Sequence, residues 1–119
     1  MKLNVNTKYY HLLKSEEKTI ELRLFDEKRR NIKIGDEIIF FDAAYLEDSF
    51  KAVVVNLYFA RDFSELSQII TPESAGFSSK EELMSVMAVF YPLSRQHECG
   101  VLGIEVRKKN NDENGCYGE

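Results

Sequence analysis

The run Lys18-Thr19-Ile20-Glu21-Leu22-Arg23 gathers the side chains of this sequence best suited to chemistry. In an extended strand successive side chains point to opposite faces, so Thr19, Glu21 and Arg23 share one face and Ile20, Leu22 and Leu24 the other. The polar face sets a carboxylate acceptor beside a planar, five-donor cation, and Lys18 adds a point charge where the strand begins. Arginine grips a phosphate bidentately or stacks on a base, and a carboxylate accepts from exocyclic amino groups, so the set suits a nucleotide. Lys18 and Glu21 are also the candidate catalytic pair. A lysine with a lowered pKa in a cleft deprotonates water or a 2′-hydroxyl, with Glu21 as acid and Arg23 offsetting charge as a phosphorane develops. The same alternation also describes a solvated strand face carrying a cross-strand ion pair. If the residues line a ligand site, Lys18→Ala or Arg23→Ala is expected to weaken binding and leave thermal stability nearly unchanged.

Lys28, Arg29, Arg30 and Lys33 form a basic cluster just after this strand. Arg29 and Arg30 are candidate ligand contacts, because such a cluster can follow a phosphate backbone by counterion release. Glu16, Glu17, Asp26 and Glu27 dilute it, which is equally the pattern of a charged surface loop. Tyr45, Tyr58, Phe59 and Tyr91 could stack on bases, although aromatics at element ends more often pack. His11 falls on a predicted helix and His97 in a predicted loop beside Glu98 and Cys99, so no metal set is assembled. Cys99 and Cys116 make no CxxC pair and read as free thiols; no cofactor is expected.

Several elements must position these residues. Thr7 is a candidate cap for a helix over Lys8 to Lys14, and Lys18 to Leu24 is the first strand. Gly35-Asp36 signals a turn before a strand at Glu37 to Phe41, and Phe50 to Phe59 and Gly100 to Arg107 give two more. Between them Asp62 can cap a helix over Phe63 to Ile70, and Ser78 or Ser79 one over Lys80 to Phe90, where Leu83, Val86, Met87 and Phe90 make an apolar stripe. Tyr91-Pro92 ends that helix. The expected order is α β β β α α β, an α+β fold with a small, curved or barrel-like sheet and flanking helices.

At 119 residues, 44% hydrophobic and 30% charged, the chain is expected to fold as one domain over residues 1–108. The polar segment 109–119 (KNNDENGCYGE from Lys109 on) reads as a mobile tail. No apolar run reaches the ~20 residues of a membrane span, and no signal peptide is evident at Met1, so a cytoplasmic monomer is expected. A net charge of -4 excludes a general phosphate binder, and any RNA binding must be local.

Four stretches in register carry a resemblance: Tyr9 to Leu13, Lys18 to Arg23, Ile32 to Phe40, and Tyr91-Pro92 with Gly100 to Ile104. Together they resemble the ASCH family of the PUA-like superfamily, with its K-T-x-E-x-R strand and G-D turn, over roughly Tyr9 to Val106. Family members often carry glycine before the motif (G-x-K); this chain reads Ser15-Glu16-Glu17-Lys18, which leaves the shape of that turn open. The resemblance implies a PUA-like β-barrel with a cleft along the motif strand and an RNA, nucleoside or nucleotide ligand. Some members hydrolyse N4-acetylcytidine with a lysine, a threonine three positions on and a distal glutamate. Lys18 matches, but Glu21 stands at the threonine position and Gly76 at the expected glutamate, with Glu73 the nearest carboxylate, so that mechanism does not transfer. The leading expectation is an RNA- or nucleotide-binding module; a ribonuclease-like hydrolase and a protein-interaction domain are the alternatives.

Overall fold

The computed structural model describes residues 1–109. Its strands are β1 (Lys2–Val5), β2 (Ile20–Leu24), β3 (Glu37–Asp42), β4 (Ser49–Ala60) and β5 (Val101–Lys108), and its helices are α1 (Thr7–Lys14), α2 (Phe63–Leu66), α3 (Lys80–Phe90) and α4 (Leu93–Cys99). The strands form one sheet in the order β1-β3-β4-β5-β2. β1 runs parallel to β3, and every other pair is antiparallel. The sheet is strongly curled into a half-barrel flanked by helices, so the fold is α+β. β4 is the longest strand, and its register shifts between Val54 and Asn56, a bulge of the kind that lets a long strand bend round a curl.

Apolar residues divide between two clusters. Leu3, Val5, Tyr10, Leu13, Ile38, Phe40, Val54, Leu102 and Ile104 pack between the sheet and α1. Ile20, Leu22, Leu24, Phe63, Leu66, Phe77, Leu83 and Met87 form a second core under α2 and α3. The alternation in β2 thus gives its apolar face to the second core, as the sequence predicts, and leaves Glu21 and Arg23 on the other face.

The structure corrects four expectations. β1 was not anticipated: its four residues carry only Leu3 and Val5 as apolar anchors, too short a pattern to distinguish, and it is held by parallel pairing with β3. Asn6, not Thr7, caps α1 by accepting from Lys8 N at 3.1 Å, while Thr7 Oγ1 donates to Asp42 Oδ1 at 2.6 Å. The helix expected over 63–70 stops at Leu66, and the chain continues in turns towards Pro72. His97 lies on α4, a helix that starts directly after Pro92, rather than in a loop. Ser79 is the cap of α3, and Glu82 reaches back to Ser78 N at 2.7 Å. Beyond β5, Lys109 N donates to Lys51 O and its Nζ pairs with Glu37. The rest of the expected mobile tail, with Cys116, lies outside the described residues.

Candidate functional site

Lys18 precedes β2, and its N–H donates to Leu12 O at 3.0 Å, which tucks the residue beneath the end of α1. Between them Glu16 adopts φ +66°, the left-handed conformation, at the place where the resembled motif carries glycine.

So placed, the Lys18 side chain is only 3% exposed. Nζ donates to Ala75 O at 2.6 Å, lies 3.4 Å from Glu21 Oε1, and sits 5.4 Å and 5.8 Å from the ring centres of Tyr9 and Phe77. Gly76, at φ +90°, makes this possible: a Cβ there would stand 3.0 Å from Lys18 Cδ. The other carboxylate oxygen, Glu21 Oε2, accepts from Arg23 Nε at 2.6 Å, and Arg23 Nη2 donates to Asn4 O at 2.7 Å. One chain of charge-assisted bonds therefore runs from Ala75 through Lys18, Glu21 and Arg23 to Asn4. Its last bond joins β2 to β1, the two outer strands of the curled sheet.

These groups line a cleft of ≈ 220 Å³. Asn4, Asn6, Tyr9, Phe77, Met87, Phe90 and Tyr91 line it together with Lys18, Glu21, Leu22 and Arg23, and the Tyr9 and Phe77 rings touch, their centres 5.6 Å apart. Burial pushes the Lys18 pKa below its ordinary value, and the Glu21 carboxylate works against that shift. For Arg23 burial is again the largest single effect and opposes the charge, but Glu21, with Tyr91 and Asp26, together outweighs it and the pKa rises. Burial, then the charges of Glu82 and Glu21, holds the Tyr9 phenol above its usual value, so it stays a neutral donor near pH 7. The result is an aromatic slot with cationic donors and one carboxylate at its side, able to hold a flat polar ring.

Of the predicted site residues, Lys18, Glu21 and Arg23 come together in the cleft. Thr19 does not line it; its backbone N–H and C=O are taken by Ser74 and Val106. Arg29 Nη1 bonds both oxygens of Asp26 at 2.9 Å, and Arg30 lies over the Phe25 ring at 5.4 Å, both outside the cleft. Tyr91 lines the slot, whereas Tyr58 donates to Glu105 at 2.7 Å elsewhere on the sheet. His97 Nε2 meets Asp62 Oδ2 at 2.9 Å, and no group of three His, Cys, Asp or Glu residues able to hold a metal occurs among the described residues. Glu73 is exposed on its 3-10 turn, so segment 73–76 brings no carboxylate to Lys18. Sequence reasoning missed Asn4, Asn6, Phe77, Met87 and Phe90 as lining residues. No spacing rule links them; only the helix stripe, with Met87 and Phe90 on one side of α3, hinted at two.

No helix is long and apolar enough to cross a membrane among the described residues. No protein-family model and no curated protein matches the chain. Solved structures do match. The crystal structure of the hypothetical Pyrococcus protein PH0355 is 34% identical, with a TM-score of 0.77 over 92% of this chain and 100% of that one. The solution NMR structure of protein PF0455 from Pyrococcus furiosus is 31% identical, with a TM-score of 0.70 over 90% of this chain and 94% of that one. With such identity over almost the whole of each chain, the protein belongs to the family of small β-fold proteins that includes hypothetical protein PH0355.

Proposed function

We propose that this protein is an ASCH-type, PUA-like module of the cytoplasm that binds RNA or a nucleotide as a monomer, receiving a base in the cleft of Lys18, Glu21 and Arg23. The observation that carries this reading is the pairing of a hydrogen-bonded Lys18–Glu21–Arg23 network with aromatic walls from Tyr9, Phe77, Phe90 and Tyr91 around one small cleft. Stacking on such walls is tolerant of base identity, and the carboxylate and cations supply hydrogen-bond discrimination. The acidic overall charge agrees with recognition confined to one site.

A second reading, a small hydrolase, is favoured by one feature: burial lowers the pKa of Lys18, as a lysine base requires. Against it, Lys18 is already committed to Ala75 O and Glu21. An acylated-cytidine hydrolase is disfavoured further, since Glu21 replaces the hydroxyl nucleophile.

The test incubates the purified protein with nucleosides, acylated cytidines, and short single-stranded and structured RNAs, reading binding and product together. Binding without product is the expected result. Product that disappears in Lys18→Met, with that variant shown by its melting temperature to be folded under the assay conditions, would transfer the assignment to a hydrolase. Failure of every nucleoside and RNA to bind would overturn the nucleic-acid reading in favour of a protein partner.

A further inference from the structure

The cleft does not end at Arg23. On the far side of the Arg23–Asn4 bond lies a broader, more open groove of ≈ 520 Å³, and Arg23 and Asn4 line both. Its other walls bring Lys2 from β1 together with Lys28 and Arg29 from the β2–β3 connection, and its lining includes no carboxylate. In a chain of net charge -4, four cationic side chains around one concavity form a local reversal of sign. Two of the four are already partly neutralised, Arg23 by Glu21 and Arg29 by Asp26. The unbalanced charge therefore comes from Lys2 and Lys28, both exposed. Arg29 Nε is buried with no hydrogen-bond acceptor among the described residues, which is costly for a cationic donor until an acceptor is supplied.

We infer that this groove is a phosphate subsite, so that the ligand of the cleft is phosphorylated: its base occupies the aromatic slot and its phosphate crosses Arg23 to reach Lys2, Lys28 and Arg29. The inference rests on the base-binding reading of the cleft and adds to it the class of ligand, a nucleotide or an RNA strand in preference to a free nucleoside. Arg23 is the shared element, paired with Glu21 and lining both the cleft and the groove.

The test titrates the full chain with the four ribonucleosides, their 3′- and 5′-monophosphates and a mixed-sequence single-stranded hexaribonucleotide. It is repeated with the Lys2→Ala/Lys28→Ala variant, whose melting temperature is measured first. A phosphorylated probe is expected to bind at least about tenfold more tightly than its nucleoside. The advantage is expected to shrink with added salt and to fall below about threefold in the double variant, with nucleoside affinity unchanged. A gain for the monophosphates assigns the subsite to a nucleotide's terminal phosphate, and one confined to the hexamer assigns it to the phosphodiester chain. Equal binding of nucleosides and all phosphorylated probes would overturn the subsite and leave the cleft reading standing. Binding of none of them overturns both, and a phosphate gain that survives in the double variant places the phosphate elsewhere and overturns the groove.

Discussion

At the residue scale, Glu21 is the centre of the site because two buried or nearly buried cations depend on one carboxylate. Glu21→Gln leaves Lys18 and Arg23 without their counter-charge, and breaking a buried pair in this way costs about 3–5 kcal/mol. Since Glu21 raises the Lys18 pKa against burial, the same change is expected to lower that pKa further, read from the lysine Nζ or Cε resonance in an NMR titration; an upward move would refute the assignment. The burial also revises an expectation. Lys18→Ala removes a side chain that is 3% exposed and hydrogen-bonded, so it loses stability whatever its role and cannot separate a ligand site from a structural one. Phe90 is the better probe: it lines the cleft yet is 53% exposed. Phe90→Ala is expected to weaken base binding by about 1–3 kcal/mol in a calorimetric titration while changing the melting temperature little.

The elements place these residues through two left-handed turns. Glu16→Gly relieves the strain of a side chain at φ +66° and is expected to stabilise the protein by up to about 1 kcal/mol, the strain relief exceeding the chain entropy glycine adds. Gly76→Ala acts in the opposite sense. At φ +90°, with Lys18 Cδ 3.0 Å from the new methyl, it is expected to cost about 1–2 kcal/mol or more, and chemical denaturation of both variants checks the pair. A helix start contributes to the acid sensitivity of the fold. Asp62 caps α2, and its pKa is lowered first by the Glu65 N–H and then by His97. A folded value below the unfolded ~3.9 means that its stabilisation is complete above that value and is lost as pH falls through the folded one. Asp62→Asn is expected to lower stability at neutral pH and flatten its fall on acidification; an unchanged acid limb would show that the cap does not contribute.

For the whole molecule, closure of the half-barrel matters most. β1 and β2 are the outer strands of the sheet, and the Arg23 side chain reaches across to Asn4 O where backbone pairing does not. Arg23→Met keeps an unbranched apolar stem and removes the bond, together with the pairing to Glu21. Hydrogen exchange of the β1 amides that pair with β3 is then expected to quicken selectively, with β4 and β5 little affected. Uniform quickening would mean that the bond supports global stability and not the seam.

Much of this was present in the chain itself. The alternation of Ile20, Leu22 and Leu24 against Glu21 and Arg23 fixed which face of β2 enters the core, because the period of a strand is two whatever surrounds it. Gly35-Asp36 announced β3, the stripe of α3 announced a packed helix, and serine before Lys80 announced its cap. The short-range signals failed where they were short: four residues of β1 and seven of α4 owe their form to partners far along the chain. The same holds for the cleft. That Lys18, Asn4, Phe77 and Phe90 meet follows from a sheet order of β1-β3-β4-β5-β2, which depends on how the whole apolar set buries itself and not on any local spacing. Sequence alone determined which side chains were available and which faces they share; the curl of the sheet decided which of them became neighbours.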